Sequence, residues 1–485
     1  MINLIIYCFL GYHTYQIQPS ESGQCLFLES GETRTFLEPI ERLVNGEGYS
    51  WQTSINRYKD ESLMPSTRRT PGFLPIYAIL YQALGENGAR EMLVLIQIIL
   101  SLISYWVLGD ALYQRRKNIY TLLGFYCLIT CIWYDKYFAF IGLGESLSLS
   151  LSILGIALLY SKKSFTALFF IGCLLGWSVF MRPAMMIFFI CVIGVYSLVL
   201  WSQKIGLKNL LTRLIFLGMP ISLALLCWTM RNFQTTGKFI VVEDSIYESQ
   251  PHLYSPTVKA IRRVIFTLGD QYERWIPNSA GEFFFSGGEL TSHNKFGTTY
   301  GSDSSIIELK KIYWLTRETT NRSNLDSLDL LATKISDAYI NGHIELNPSE
   351  YYIVRPIRMM LSLLTIRSYS YIPFPSINEM SLFQKVIKGM QWASHYLFLL
   401  ALVVASYSLS VQKLWNRYTL TAGLFILCYL VTLAWVFGFT EPRYLVAIYP
   451  CGYIILSDFL GHVAFSGNLK TDTSADTELQ KVHEG

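Results

Sequence analysis

The chain has 485 residues, of which 52% are hydrophobic, 15% aromatic and 15% charged, with a formal net charge of +4. Soluble globular domains carry about 25% charged residues, so this chain lacks the charge to coat a water-facing surface of its size. Its basic residues come in short clusters between apolar runs, a pattern that orients a membrane protein and does not build a nucleic-acid surface. The composition therefore describes a polytopic membrane protein and excludes a soluble enzyme.

The first apolar run, Ile2–Leu10, is short and no small-residue cleavage site follows it. It reads as a first span rather than a removed signal peptide. A polar outer segment comes next. It holds Glu32-Thr-Arg-Thr-Phe36, then Asn45-Gly46-Glu47-Gly48-Tyr49-Ser50, and closes on Arg68-Arg69-Thr70-Pro71-Gly72-Phe73. Phe73–Leu84 is amphipathic and aromatic, an expected interfacial helix. Apolar runs of bilayer length, roughly 20 residues, then fall near 91–113, 118–135, 141–160, 164–181, 183–201, 211–230, 389–411, 418–437 and 444–463. The expected fold is thus an all-α polytopic membrane protein of about 10–12 transmembrane helices, with a mainly helical domain on the outer face.

Orientation follows from the short loops. Arg115, Arg116 and Lys117, then Lys162 and Lys163, then Lys204, Lys208 and Arg213, then Lys413 and Arg417 all fall on one side if the spans alternate. The positive-inside rule makes that side cytoplasmic, together with the tail 465–485. The other side receives residues 17–90, Trp133–Glu145, the Met181-Arg182-Pro183 corner, residues 231–388 and Gly438–Arg443. Within 231–388, Ser304–Thr320 and Leu325–Asn341 show helical spacing of apolar residues. The chain divides into a membrane module 1–230 that includes the outer loop 17–90, an extracytoplasmic domain 231–388, membrane helices 389–464 and a cytoplasmic tail. Of nine cysteines, only Cys25 lies in a polar loop, so no disulfide framework is expected.

Charges on the outer side need a reason beyond orientation. They are Glu32, Arg68 and Arg69, Asp135 with Glu145, Arg182, Arg231, and Glu441 with Arg443. Glu145 sits at the embedded end of a span, where an ionisable group costs a few kcal/mol unless it is paired or faces water; a structural pair fixing helix packing is the plain alternative. Arg182 at a helix start is also explained by snorkelling. Glu441-Pro442-Arg443-Tyr444 fixes a carboxylate and a guanidinium at one rim, either as an internal clamp with Tyr444 as interface anchor or as a site for an anionic headgroup. Together the rim offers what a lipid-phosphate donor needs. Arginines hold the phosphate as charge develops, and a carboxylate takes the proton of the attacking group. No Walker loop, Rossmann fingerprint or nucleophile elbow is present, so a cytosolic nucleotide donor has no support.

Six of these pieces, in order, resemble the GT-C superfamily of polyprenyl-phosphate-sugar glycosyltransferases, and within it the protein mannosyltransferases and the aminoarabinose transferase of lipid A. They are Glu32 through Gly48-Tyr49-Ser50; Arg69-Thr-Pro71-Gly72-Phe73; Glu145-Ser-Leu; Gly172-Cys-Leu-Leu-Gly176 to Arg182-Pro183; Trp228-Thr-Met-Arg231-Asn232 to Gly237-Lys-Phe; and Glu441-Pro-Arg443-Tyr444 to Pro450. The resemblance implies that Glu32 is the base, where the family usually has Asp, with Glu38 and Glu41 as alternatives. It implies that Glu145 is a second carboxylate positioning an acceptor or a divalent metal, and that Arg69, Arg443, Arg182 and Arg231 are donor-phosphate ligands. Arg68, Asp135, Glu441 and Tyr444 are further candidates. The implied activity is inverting transfer of a sugar from a polyprenyl-phosphate donor to a glycan, lipid or protein acceptor at the outer face of a membrane, a bacterial plasma membrane being favoured. The alternatives from other classes are a transporter, flippase or polymerase of lipid-linked glycans, and an inactive homologue acting as an assembly partner.

Overall fold

The computed structural model describes residues 2–17, 26–27, 33–53, 62–67, 69–132, 135–161, 164–243, 256–268, 304–319, 322–365, 378–437 and 442–463. Among the expected site residues, Glu32, Arg68 and Glu441 lie outside these. The side chain of Arg443 does too, although its backbone belongs to a described 3₁₀ turn, Pro442–Ala447.

The membrane part begins with α1 (Ile2–Ile17) and the amphipathic α2 (Thr33–Val44). It continues through α3 (Leu74–Arg116), α4 (Ile119–Cys131), α5 (Glu145–Ser161), α6 (Phe165–Met181), α7 (Met185–Ser202) and α8 (Leu207–Thr236). The segment between α8 and the last three helices contributes α9 (Pro256–Leu268), α10 (Ser304–Glu318), α11 (Arg322–Leu346) and α12 (Arg355–Leu364). Then α13 (Leu382–Val411), α14 (Arg417–Val431, continued by a π-helical stretch, Thr432–Phe437) and α15 (Tyr444–Val463) close the bundle. The fold is all-α. Among the described residues, six helices are long and apolar enough to cross a membrane, and α4, α5 and α6 are shorter apolar helices. At about 1.5 Å rise per residue, the 17 residues of α5 come to roughly 26 Å, just under the hydrocarbon thickness.

Two features depart from the sequence reading. The helix expected to end at Leu84 does break there, because Gly85 adopts φ 71° and ψ −176°, but helix resumes at once and α3 runs on to Arg116. Only glycine reaches that backbone region without steric cost. The outer segment also contains a two-stranded antiparallel ribbon, β1 (Ser50–Thr53) with β2 (Ser62–Pro65), in the register Ser50↔Pro65 and Thr53↔Ser62. Its four-residue strands are too short for an alternation signal.

α5 is the axis of the membrane core. Its residues from Glu145 to Ala157 are all buried; Ser148 Oγ donates to Glu145 O at 2.9 Å within the helix, and the Ser152 hydroxyl meets that of Ser178 in α6 at 2.6 Å. α6 meets α8 through its small-residue face. A Cβ on Gly172 would stand 2.3 Å from Leu217 O, the close backbone approach that small residues permit between membrane helices.

The loop after α3, the start of α14 and the end of α15 lie together at one end of the bundle. Asn118, after α3, donates to Gly461 O at 2.9 Å, Asn416 donates to Asp458 at 2.8 Å, and the Arg115 guanidinium lies 5.6 Å from the Tyr418 ring. Lys117, Lys204 and Lys413 each take a left-handed conformation just past a helix C-terminus, with φ of 48°, 56° and 54°. There the negative end of the helix dipole favours a cation.

Outside the membrane core, α9, α10 and α11 form a separate small core around Val264, Leu309, Ile312 and Ala332. Asp329 of α11 accepts from both the backbone N–H and the hydroxyl of Thr257 at the start of α9, at 3.1 and 2.6 Å. α10 and α11 coincide with the two stretches of helical spacing in the sequence.

Candidate active site

At the end of the bundle opposite the basic loops, three chain segments close on the C-terminus of α6. The first is the loop Arg69–Phe73. Thr70 Oγ1 donates to Phe180 O at 2.5 Å, Trp177 Nε1 donates to Gly72 O at 2.8 Å, and a Cβ on Gly72 would stand 2.4 Å from Phe180 O. The second is the turn into α5, where a Cβ on Gly144 would stand 2.3 Å from Met181 O. The third is the start of α15, where the Tyr444 ring lies 4.7 Å from the Arg182 guanidinium.

Arg182 follows α6 directly and forms an ion pair with Glu145, the first residue of α5. The side chains are 12% and 3% exposed. A carboxylate at a helix N-terminus is favoured by the helix dipole, but a buried pair repays its desolvation only when the remaining lone pairs are also bonded. Here they are not. Glu145 Oε1 has Arg182, while Oε2 is buried and makes no hydrogen bond. The buried hydroxyl of Tyr429, on α14, lies beside Arg182. Gly142, three residues before Glu145, is covered by Phe27 and Thr33, within 3 Å of where a Cβ would stand.

Arg69 lies beside this corner. Its guanidinium is 4.5 Å from the Phe36 ring, its Nε donates to Thr35 Oγ1 at 3.3 Å and its Nη1 to Glu243 Oε2 at 3.5 Å. Glu243 arrives because the chain turns at Gly237 (φ 70°) and runs back along α8, with Trp228 Nε1 donating to Val242 O at 2.7 Å and Asn232 Nδ2 to Ile240 O at 3.0 Å. Arg231 has a different task. It donates to Ser66 O at 2.7 Å, Tyr49 O at 2.8 Å and Asn232 Oδ1 at 2.9 Å, between the Tyr49 and Trp228 rings. It thereby ties α8 to both flanks of the β1–β2 ribbon.

Glu38 and Glu41 share a face of α2, as their spacing requires, but that face borders another cleft. A cavity of about 320 Å³ there is lined by Arg34, Glu38, Glu41, Arg42, Glu86 and Arg90, among others. Glu38 pairs with Arg42 at 3.1 Å; Glu41 accepts from the Tyr77 hydroxyl at 2.8 Å and faces Arg90 at 3.7 Å. Burial pushes the Glu41 carboxyl above its usual range, while Tyr77 and Arg90 pull it back. Asp135 lies inside the bundle instead of at the corner. It accepts from the Tyr105 hydroxyl and from Tyr453 at 3.2 Å, with Lys136 at 3.6 Å.

The structure thus gathers Glu145, Arg182 and Tyr444 at one corner with Arg69 beside it, and places Arg231, Asp135, Glu38 and Glu41 elsewhere. Sequence reasoning missed Tyr429, one tyrosine in an apolar run, and Glu243, whose proximity depends on the fold-back along α8. Among the described residues, no three His, Cys, Asp or Glu side chains are grouped to hold a metal ion. Among the described residues, Glu145 has a guanidinium beside it and no second acid.

No protein-family model and no curated protein matches the chain. Solved structures do. One is the oligosaccharyltransferase AglB from Archaeoglobus fulgidus in complex with an inhibitory peptide and a dolichol-phosphate, 12% identical, covering 98% of this chain and 52% of that one, with a TM-score of 0.48. Another is the Archaeoglobus fulgidus oligosaccharyltransferase tethered with an acceptor peptide, 11% identical over 96% of this chain and 50% of that one, with the same TM-score of 0.48. A third is ArnT from Cupriavidus metallidurans bound to undecaprenyl phosphate, 14% identical, covering 95% of this chain and 76% of that one, with a TM-score of 0.32. The chain spans about half the length of the oligosaccharyltransferases it matches.

Proposed function

We propose that the chain is an integral-membrane glycosyltransferase that moves a sugar from a polyprenyl monophosphate to an acceptor at its outer face, with inversion. The observation that carries this reading is the buried Glu145–Arg182 pair, set where the Arg69 loop and the Tyr444 turn meet, with one carboxylate oxygen left unbonded. A purely structural ion pair gains from having both oxygens satisfied, whereas a site that receives a substrate keeps an acceptor in reserve.

In the proposed reaction an acceptor hydroxyl or amine attacks the anomeric carbon. The new bond forms as the bond from that carbon to the phosphate oxygen breaks, polyprenyl phosphate leaves with the electron pair, and a carboxylate takes the acceptor's proton. One displacement with one base inverts the anomeric configuration. Glu32 is the proposed base, supported by its chain neighbour Thr33 packing at Gly142 near Glu145. Glu145 orients a reacting hydroxyl through Oε2. The phosphate falls to Arg69, with Arg443 from the other rim. Arg231 holds the ribbon that frames the loop. The membrane module 1–230 with helices 389–464 carries the chemistry, and 231–388 is the extracytoplasmic domain shaping acceptor access. A bacterial plasma membrane, with the tail 465–485 in the cytoplasm, completes the reading.

Purified protein in lipid nanodiscs, given labelled polyprenyl-phosphate sugars, should transfer label to added acceptors. Glu145→Gln and Glu32→Gln should each lower the rate by about 10²–10⁴-fold; Glu32→Gln should leave the melting temperature unchanged, whereas Glu145→Gln should also lower it because Arg182 loses its buried counter-charge. Undiminished transfer by both variants would remove the catalytic assignment.

A further inference from the structure

Glu243 stands beside the guanidinium to which the donor phosphate is assigned. Its Oε2 accepts from Arg69 Nη1 at 3.5 Å, and the two side chains are 22% and 16% exposed. The fold builds this juxtaposition from both sides. Tyr49 donates its hydroxyl to Arg69 O at 3.3 Å, and Arg69 Nε donates to Thr35 Oγ1 at the same distance. On the Glu243 side, Trp228 and Asn232 of α8 donate to Val242 O at 2.7 Å and Ile240 O at 3.0 Å, which fixes the backbone leading to the carboxylate. Arg231 joins the two halves, since it lies between the Tyr49 and Trp228 rings and donates to Asn232 Oδ1. An exposed ion pair is two flexible side chains that happen to meet. Here hydrogen-bonded backbone carries the carboxylate to Arg69.

A carboxylate in that position works against an incoming anion. A guanidinium has five N–H donors, so Arg69 serves a carboxylate and a phosphate oxygen together. What Glu243 changes is the charge of the site. Arg69 alone favours the more highly charged of two phosphates. With Glu243 beside it the pair is neutral, and the carboxylate opposes each further negative charge on the ligand. The two lipids of the proposed reaction differ in this respect. The donor is a phosphodiester with one negative charge. The polyprenyl monophosphate it leaves is a monoester with a second pKa of about 6, and so approaches two charges near neutral pH. Building on the glycosyltransferase reading with Arg69 at the phosphate, we infer that Glu243 is a specificity residue for phosphate charge. It admits the singly charged diester of the donor and disfavours both the dianionic product and any diphosphate-linked lipid. The same repulsion favours release of the product.

The test is thermal melting of the full-length protein at about pH 8, where a phosphate monoester is dianionic, with three lipids of one chain length. They are polyprenyl monophosphate, its monomethyl ester and polyprenyl diphosphate. The methyl ester is a singly charged diester without a sugar, so it separates charge from sugar recognition. Affinity is read from the concentration dependence of the melting temperature. Wild type should bind the methyl ester more tightly than the other two. Glu243→Gln should bind the monophosphate and the diphosphate about tenfold more tightly and the methyl ester with a smaller gain, so that the preference shrinks or reverses. Glu47→Gln makes the same charge change at an exposed residue paired with Arg42, and should leave all three affinities as they are. Wild type that binds the dianion as tightly as the methyl ester overturns the inference without recourse to any variant. So does Glu243→Gln with wild-type affinity ratios or with weaker binding of every lipid, and so does an equal gain from Glu47→Gln. Wild type that binds none of the lipids, or Arg69→Gln that binds all of them undiminished, overturns instead the assignment of the phosphate to Arg69 on which the inference rests.

Discussion

Glu145 is buried and Glu41 half-buried, and their partners differ. Glu145 is countered by a guanidinium at hydrogen-bonding range, whereas for Glu41 desolvation outweighs the Tyr77 and Arg90 contacts and its carboxyl is pushed up. That has a consequence for stability. Below the ordinary carboxylate value of 4.5, Glu41 is protonated in both folded and unfolded chains. As pH rises past it the unfolded chain ionises first, so stability is lost through the window up to the raised folded value. Glu41→Gln should keep the Tyr77 and Arg90 contacts without the ionisation. Its melting temperature should match wild type near pH 4 and equal or exceed it at pH 7, with a flatter slope between. Equal slopes in the two proteins would show that Glu41 is not the source. Residue identities of this kind were legible in the sequence, and both glutamates were candidates from the start. What separated them was their partners, which no local pattern contains.

At the scale of elements, the C-terminus of α6 is the anchor. Its last turn takes a hydroxyl from Thr70, gives an indole N–H to Gly72 O, touches Gly144 and hands on Arg182. Two glycines are required there because backbone meets backbone: a methyl on Gly72 or Gly144 would stand 2.4 or 2.3 Å from a carbonyl oxygen. Gly72→Ala and Gly144→Ala should each destabilise by about 1–3 kcal/mol, the cost of overpacking. Each should also lower transfer far more than the melting shift accounts for, since a displacement of roughly 1 Å at a site can cost a hundredfold. Thermal melting and label transfer on the same samples check this; activity that falls only in step with the folded fraction would argue against it. The Arg-Thr-Pro-Gly-Phe pattern drew attention to this loop in the sequence. Its docking on α6 was not legible, because the contact spans more than a hundred residues of chain.

For the whole molecule, the distribution of charge decides orientation. Three lysines end helices in left-handed turns at the end where Asn118 meets Gly461 and Asn416 meets Asp458. The opposite end collects Glu145, Arg182 and Arg69. With native cysteines replaced, Glu47→Cys should react with a membrane-impermeant maleimide on intact cells, and Gln412→Cys only after permeabilisation. The reverse pattern would invert the topology. The sequence by itself determined the helices, because an apolar run of bilayer length is a local property that water and lipid read alike. Span parity and basic clusters, counted along the chain, set the expectation of which loops share a side. Only the tertiary structure decided that Glu145 pairs with Arg182, that Arg231 clamps a ribbon, and that Tyr429 reaches the same corner. Those are contacts between α5, α6, α8 and α14, fixed by which helix faces pack together, and residues far apart along a chain leave no mark of that packing in their own neighbourhoods.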